Sequence, residues 1–194
     1  MKRVIFFTGA GISAESGIPT FAEQEGIRNK LTRGFALNNA EEFRETIKQM
    51  CDSVNKAKPN VAHKAIAKAG YPVITMNIDG LHQKAGSKKV LEIHGRLPEP
   101  HELYSDNYNK LRGIPVLYDD EAPAYNDAII RVRQMEKGDV LVIVGVSFYT
   151  AISNYLRELA EYREVDVYIL NDCATEEVPE ICNRLLQDGY VGMW

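Results

Sequence analysis

Residues 4–21, which read VIFFTGAGISAESGIPTF, constrain the fold of this chain more than any other stretch. A short apolar run at 4–7 leads directly into a turn made of glycines and other small residues. Within that turn Gly9, Gly11 and Ala14 fit the pattern G-x-G-x-x-A immediately after a predicted strand. The stretch therefore predicts a parallel α/β fold with a dinucleotide-binding turn after its first strand.

Each small residue of this turn has an expected task. Gly9 allows the tight turn, Gly11 lets the backbone approach a pyrophosphate, and Ala14 permits close packing of helix on strand. The phosphates would then meet the N–H groups at the start of the helix. A glycine turn with a purely structural role is the alternative that this motif alone leaves open.

The rest of the chain alternates between strand-like and helix-like patterns. Runs such as VIFF and DVLVIVG are apolar throughout, which is typical of strands covered on both faces of a parallel sheet. Alternating strands and helices predict a doubly wound, Rossmann-like α/β sheet. The predicted strands are 3–8, 72–77, 90–94, 115–117, 139–145 and 165–170.

Helix boundaries can be predicted from capping residues. Asn39, followed by Glu42 three residues later, predicts the start of one helix, and Asn60 and Gly70 predict the two ends of another. Prolines interrupt this regular alternation over residues 96–126, which we interpret as loop and a small lobe on the ligand side.

Composition and charge exclude several classes. The 194 residues are 45% hydrophobic and 26% charged, which suits one well-buried core. A net charge of −4 argues against a nucleic-acid partner, and no apolar segment approaches the length that spans a membrane. Cys51, Cys173 and Cys182 form no C-x-x-C pair, so we expect neither a disulfide framework nor a metal site, and a cytoplasmic location.

Polar and small residues lie at or just after the ends of the predicted strands. Because the ligand crevice of an open α/β sheet lies at the carboxyl ends of its strands, we expect these residues to converge with the Gly9–Ala14 turn. Taken singly, any one of them could merely cap a strand. They are Asn77, Asp79, His94, Gly145, Ser147 and Asn171.

An ordinary hydride-transfer domain is disfavoured by spacing. In that fold a second strand, which ends in an acidic residue for the ribose, follows about twenty residues after the turn. Here the second convincing strand begins only at residue 72, and residues 22–60 hold the sequence of two or more helices.

Several motifs in order resemble the sirtuin family of NAD-dependent protein deacylases. GAGISAESGIPTF is similar to the family's GAGxSxxSGIPDFR, TMNIDGLHQKAGS to TQNIDxLHxxAG, EIHG to the catalytic HG, and VGVS to GTS or GSS. KAKPNVAHKAIAK also resembles the family's helix before the second strand. The resemblance covers nearly the whole chain.

This resemblance implies NAD as cofactor and an acylated lysine of a protein or peptide as substrate. The acyl oxygen attacks the ribose carbon, nicotinamide leaves, an alkylimidate forms, and the products are O-acyl-ADP-ribose and free lysine. Neither nucleic acid nor membrane is an expected partner.

The resemblance also implies residue roles. His94 is the expected general base, a task that suits imidazole because its ordinary pKa lies near neutrality. Asn77 orients ribose hydroxyls or a water, and Asp79 accepts from the nicotinamide amide. Ile78 and Phe21 form apolar walls. Ser147 and Asn171 bind the adenosine half, and the remaining cofactor-binding residues are Gly9, Ala10, Gly11, Ile12, Ala14, Ser16 and Gly145.

Four departures from the family pattern bear on the substrate. Residues 96–112 lack the cysteines that hold a structural zinc in the family, and Ala22 stands where the family has arginine. Met76 replaces a glutamine, and Tyr118-Asp119-Asp120 replaces the FGE strand that pairs with peptide. NAD binding is little affected by these changes, but use of a protein substrate is.

An NAD glycohydrolase or ADP-ribosyltransferase is therefore the alternative enzyme, and a nucleotide-sensing module without turnover is a third reading.

We expect one domain over residues 1–194. Its Rossmann-like core comprises about 1–21, 61–95 and 113–194, with a helical insert at about 22–60 and a reduced small lobe at about 96–112.

Overall fold

A computed structural model of the chain describes residues 2–19, 26–192 and 194. Its five strands form one parallel sheet in the order β3-β2-β1-β4-β5. The predicted doubly wound sheet is thereby confirmed. The strands are β1 (Val4–Thr8), β2 (Val73–Thr75), β3 (Val90–Glu92), β4 (Val140–Val144) and β5 (Asp166–Leu170).

Ten α-helices and one short 3₁₀ helix lie in the described part of the chain. They are α1 (Gly11–Ala14), α2 (Ile27–Lys30), α3 (Arg33–Asn38), α4 (Ala40–Lys56), α5 (Val61–Ala69), α6 (Leu81–Lys84), α7 (Pro100–Leu103), the 3₁₀ helix Tyr108–Lys110, α8 (Ala124–Arg133), α9 (Ala151–Tyr162) and α10 (Ala174–Gln187).

The central strands β1 and β4 are buried along their whole length, as their apolar runs predicted. Side chains alternate between the faces of a strand, so Val4 and Phe6 pack toward α5 and α10. Ile5 and Phe7 point the other way and pack with α8 and α9. Two apolar layers therefore fix the register of the sheet, and with it the position of the loops at its carboxyl edge.

The capping predictions have different outcomes. Asn60 caps α5, since its side-chain oxygen accepts from the N–H groups of Ala62 and His63, and Gly70 ends that helix with φ 71°. Asn39 does precede α4, but its side chain makes no capping hydrogen bond there. The position predicted from the sequence is right, and the predicted contact is absent.

Residues 26–56 and 97–117 share a separate apolar core. Phe43 of α4 stacks on Tyr108 with 5.7 Å between ring centroids. Arg33 at the start of α3 donates to the Leu111 carbonyl at 2.7 Å and pairs with the buried Asp120. The two segments that the sequence suggested as insert and small lobe thus pack together as one lobe beside the sheet.

One predicted strand is wrong. Residues 115–117 form no strand, because Val116 N–H donates to the His94 carbonyl and Tyr118 N–H to the Leu31 carbonyl. Those bonds tie the segment to two different loops and leave it without a strand partner. Within the described ranges, no helix has both the length and the apolarity to cross a membrane.

Candidate active site

The loops that follow β1 and β4 touch each other backbone to backbone. A side-chain carbon on Gly9 would lie 2.6 Å from the Gly145 carbonyl oxygen, and one on Gly11 would lie 2.6 Å from the Gly145 Cα. Gly145 itself has φ 63°, a conformation that favours glycine. These glycines therefore serve first to let two loops meet at the carboxyl edge of the sheet.

Backbone N–H groups of the turn are used within the protein, mostly in bonds to β4 and the loop after it. Gly9 N–H donates to the Val144 carbonyl, Gly11 N–H to Gly145, and Ile12 N–H to Gly9. What the turn presents to a ligand is the surface of Ala10 and Gly11, both of which line the main cavity. The sequence-based reason for Gly11, approach to a pyrophosphate, is compatible with this position, and loop contact is a second reason that the sequence did not reveal.

The main cavity has a volume of about 530 Å³ and opens where the loops after β1, β2, β3 and β4 converge. Of the predicted site residues, it is lined by Ala10, Gly11, Asn77, Ile78, His94, Gly145, Ser147 and Asn171. The convergence that the sequence predicted at the carboxyl ends of the strands is therefore present in the structure.

A second cavity of about 210 Å³ adjoins the first, since Ala10, Asn77 and Ile78 line both. Its polar side chains include Ser13 and Asp79. Its apolar wall includes Ile18, Ile27 and Leu97. An apolar slot with a few convergent polar groups suits a small planar ring that carries an amide.

Asp79 is held in place from two sides. The Ser13 hydroxyl donates to one carboxylate oxygen at 2.7 Å, and Leu81 N–H donates to the other at 2.8 Å. The amide of Asn77 donates to the Ser13 hydroxyl oxygen at 3.1 Å. Asp79 and Asn77 are each at most 8% exposed, so this chain of hydrogen bonds fixes both at the wall of the second cavity.

Two buried histidines lie behind this wall. The His63 and His82 rings are 4.9 Å apart, His63 contacts the Asn60 side-chain oxygen, and His82 contacts the Thr8 hydroxyl. Burial lowers the pKa of His63 to about 4, although the nearby Asp79 carboxylate acts in the opposite direction. Burial and the neighbouring His63 lower the pKa of His82 to about 3. Both are neutral packing residues at neutral pH.

His94 presents its ring to the main cavity. Its Nδ1 lies 3.1 Å from the Met76 carbonyl oxygen, and its Nε2 lies 2.8 Å from the Tyr125 hydroxyl. A carbonyl can only accept, so Nδ1 carries the hydrogen and Nε2 of the neutral ring carries the lone pair. Burial lowers the pKa of His94 below its usual 6.5, despite the opposite effect of the Met76 carbonyl. At neutral pH the His94 ring is therefore a neutral base on the wall of the main cavity, with the Tyr125 hydroxyl at its Nε2.

The side chain of Asn171 forms two hydrogen bonds with the backbone of the loop after β4. Its side chain accepts from Val146 N–H at 2.9 Å and donates to the Val146 carbonyl at 3.0 Å. This pair of bonds pins the loop that carries Gly145 and Ser147. A contact between Asn171 and adenosine stays a prediction.

Four other predicted cofactor residues line neither cavity. Ile12 is fully buried in the core, and Gly9 packs on Gly145. Ala14 is exposed, so the close helix–strand packing expected of it is absent. Ser16 holds a buried hydroxyl that has no hydrogen-bond partner among the described residues. The predicted wall residue Phe21 lies outside the described residues.

Several cavity residues were missed by sequence reasoning. Arg28 lines the main cavity with its guanidinium 4.0 Å from the centroid of the Tyr149 ring, although it lies well past the position where the family has arginine. Tyr125 and Ser13 also line the cavities. Ser13 lies inside the glycine motif and was available as a signal, whereas Arg28, Tyr125 and Tyr149 lie in irregular segments or at a helix start.

Metal ligation has no support in the described part of the chain, where no group of three or more His, Cys, Asp or Glu side chains is placed to hold an ion. Cys51, Cys173 and Cys182 are all free thiols.

Comparisons with known proteins agree with this geometry. A model of the Sir2 family matches residues 9–112. The chain is 33% identical over 190 residues to "NAD-dependent protein deacetylase 2" of Caldanaerobacter subterraneus subsp. tengcongensis, covering 80% of this chain and 75% of that protein. It is 32% identical over 177 residues to an "NAD-dependent protein deacetylase" of Bacillus cereus, covering 75% and 71%.

Solved structures show the same fold. A Sir2 homologue in complex with 2′-O-acetyl ADP ribose superposes with a TM-score of 0.82 at 25% identity, covering 96% of this chain and 93% of that one. A Sir2 complex with a p53 peptide and NAD⁺ superposes with a TM-score of 0.76 at 27% identity, covering 96% and 93%. With the matched motifs converging on one cavity, the sequence relatives and the fold lead to one conclusion: this chain belongs to the Sir2 family.

Proposed function

We propose that this chain is an NAD-dependent protein-lysine deacylase that produces nicotinamide, O-acyl-ADP-ribose and free lysine. The observation that carries the proposal is that the glycine turn after β1 and His94 line the same cavity. The names of the curated relatives and the contents of the related complexes support the same activity.

The residues present fit NAD. The main cavity lies within the volume range of cofactor sites, and the adjoining cavity offers a slot walled by Ile78 with Asp79 at its edge. When bound, NAD supplies the ribose carbon that nicotinamide leaves and the hydroxyl that carries the acyl group away. In this proposal Ala10, Gly11 and Ser147 lie along the cofactor, and Asp79 accepts from the amide of the nicotinamide ring.

His94 acts as the general base in this scheme. Its Nε2 takes a proton from a ribose hydroxyl, and the Met76 carbonyl holds the Nδ1 hydrogen and thereby the tautomer. The rigid bonds among Ser13, Asn77 and Asp79 contribute by positioning, which reduces the entropy lost on reaching the reactive geometry.

The peptide cleft is the part most changed from the family pattern. Asp119 accepts from Arg33 N–H, and Asp120 forms a buried ion pair with the Arg33 guanidinium. These acids bind the lobe together, so a peptide would contact an irregular segment in place of a strand. Two finer expectations stay predictions: a lobe that folds without zinc, and a cytoplasmic location.

Incubation of the protein with NAD and an acetylated lysine peptide tests the proposal, with products separated by chromatography and identified by mass. The expected result is equal amounts of nicotinamide, O-acetyl-ADP-ribose and deacetylated peptide. The His94→Ala variant should lose acyl transfer by about 10²-fold or more while still binding NAD.

The other outcomes identify the alternatives. Nicotinamide release in the absence of peptide would identify a glycohydrolase or ADP-ribosyltransferase, and tight NAD binding without products would identify a sensing module. Loss of NAD binding in His94→Ala would indicate that His94 is structural. His101→Ala is the matched control, because His101 is exposed and lines neither cavity.

A further inference from the structure

Tyr125 occupies the one position on the base that a substrate hydroxyl needs. It is the second residue of α8, and its hydroxyl lies 2.8 Å from His94 Nε2. The two rings are 5.7 Å apart between centroids and tilted by 51°. Both side chains line the main cavity.

The contact of His94 Nδ1 with the Met76 carbonyl determines the direction of the hydrogen bond between His94 Nε2 and Tyr125. Because Nδ1 donates to the Met76 carbonyl, Nε2 of the neutral ring can only accept, and the Tyr125 hydroxyl must donate. Burial raises the pKa of Tyr125, so the phenol keeps its proton at neutral pH. The pair is therefore a phenol donating to a neutral imidazole.

The backbone supports the same pairing. Val116 N–H donates to the His94 carbonyl at 2.9 Å, which ties the segment leading to α8 to the histidine itself. Tyr125 N–H then donates to the Ala122 carbonyl at 3.0 Å, which fixes the start of the helix. Tyr125 also packs against the apolar layer formed with α8 and α9. Its hydroxyl is thus held at His94 from two directions.

We infer that Tyr125 is a positioning residue for the base His94, an inference that rests on the proposed function. Its hydroxyl donates to Nε2 before substrate binds and so holds the ring in one orientation until a substrate hydroxyl takes its place at the lone pair. Once Nε2 has taken the proton of that hydroxyl and the hydroxyl oxygen has bonded to the acyl carbon, the new N–H would donate to the Tyr125 oxygen. A phenol can both donate and accept, so it holds the imidazole in both protonation states.

The test is Tyr125→Phe, which keeps the ring and removes only the hydroxyl. Two rates are measured with NAD and acetylated peptide: formation of O-acetyl-ADP-ribose, and exchange of labelled nicotinamide into NAD. Exchange reports breakage of the nicotinamide bond, which precedes the step at His94. We expect acyl transfer to fall about ten-fold, while exchange and the melting temperature stay close to wild type.

The ratio of the two rates decides the inference. A lower ratio of acyl transfer to exchange in Tyr125→Phe supports it. An unchanged ratio, whether both rates fall together or neither does, overturns it, since a merely structural tyrosine would not affect one step alone. Tyr162→Phe on α9 is the control, because Tyr162 is 85% exposed and lines neither cavity.

A second readout separates this inference from the proposed function. If the wild-type protein shows neither rate, the proposed deacylase activity fails, and nitrogen-15 NMR of the His94 imidazole still tests the contact. A changed Nε2 resonance in Tyr125→Phe supports the hydrogen bond that the inference needs. An unchanged resonance overturns the inference by itself.

Discussion

At the scale of single residues, the protonation of His94 decides what the site can do. Burial keeps its ring unprotonated, and the Met76 carbonyl on Nδ1 and the Tyr125 hydroxyl on Nε2 fix its orientation. Met76 contributes through its backbone, so the replacement of the family's glutamine by methionine leaves this contact intact.

The lowered pKa of His94 predicts the pH dependence of the enzyme. A general base works only when unprotonated, so activity is present above its pKa and is lost as pH falls through it. Because burial lowers this pKa, the acidic limb of kcat/KM should lie below pH 6.5. Steady-state kinetics between about pH 5 and 8 measure the limb.

Circular dichroism at each pH checks that the protein remains folded during these kinetics. An acidic limb at or above pH 6.5 in folded protein would contradict the assignment of His94 as a buried base.

The sequence predicted which residues belong to the site only where those residues lie in a family motif. His94, Asp79 and Asn77 were predicted because each lies at or just after the end of a predicted strand within a family motif, and all three line a cavity. Tyr125 could not be predicted, because its contact with His94 joins positions 31 residues apart across an irregular segment. Such a contact depends on where the chain of residues 96–123 runs, which periodicity does not specify.

At the scale of elements, the meeting of the loops after β1 and β4 determines the shape of the site. The sequence indicated that Gly9, Gly11 and Gly145 belong to the site, with a tight turn as the reason for Gly9, approach to a ligand for Gly11 and a strand end for Gly145. The structure adds that they touch each other. This reason was not available from the sequence, because it requires the strand order that makes β1 and β4 neighbours.

Gly145→Ala tests this loop contact. The new methyl carbon would clash with the Ile12 nitrogen and lie 2.6 Å from the Gly11 Cα, and φ of 63° is unfavourable for alanine. We expect the free energy of unfolding to fall by about 2–4 kcal/mol, with NAD affinity reduced as well. Urea denaturation and calorimetric NAD titration measure the two effects.

Gly70→Ala is the control for backbone strain alone. Gly70 has a similar φ of 71°, but nothing lies within 4 Å of an added carbon. We expect Gly70→Ala to lower the free energy of unfolding by only about 1–2 kcal/mol and to leave NAD affinity unchanged. Equal effects of the two substitutions on stability and on NAD binding would show that the loop contact does not cause the effects of Gly145→Ala.

At the scale of the whole molecule, the sheet was predictable and the lobe beside it was not. Apolar runs and caps were sufficient to place β1, β4, β5 and α5 within one or two residues. The lobe is held by the contact of Phe43 with Tyr108 and by the ion pair of Arg33 with Asp120, which join distant segments. Sequence patterns describe local periodicity, so they predicted the helices of this lobe but not their common core.

The buried pair His63 and His82 predicts a loss of stability in acid. Their native pKa values, about 4 and about 3, lie below the value near 6.5 of an unfolded chain. The unfolded state therefore binds more protons as pH falls below 6.5, and the stability present above that pH is lost progressively. We expect the free energy of unfolding to fall by up to about 4 kcal/mol between about pH 7 and 5.

Urea denaturation followed by the fluorescence of Trp194, the single tryptophan, measures this dependence. Trp194 packs against the layer formed with α8 and α9, so its emission reports the folded sheet. His101→Gln should leave the pH dependence unchanged because His101 is exposed. A free energy of unfolding that does not change with pH over this range would contradict the neutral, buried state of the pair.

A crystal structure of this protein with NAD bound measures where the cofactor lies relative to the glycine turn and His94. We expect the pyrophosphate against Ala10 and Gly11, nicotinamide beside Asp79, and a ribose hydroxyl within hydrogen-bond distance of His94 Nε2. NAD bound elsewhere, or bound in the cavity with the His94 ring turned away from the ribose, would contradict this expectation.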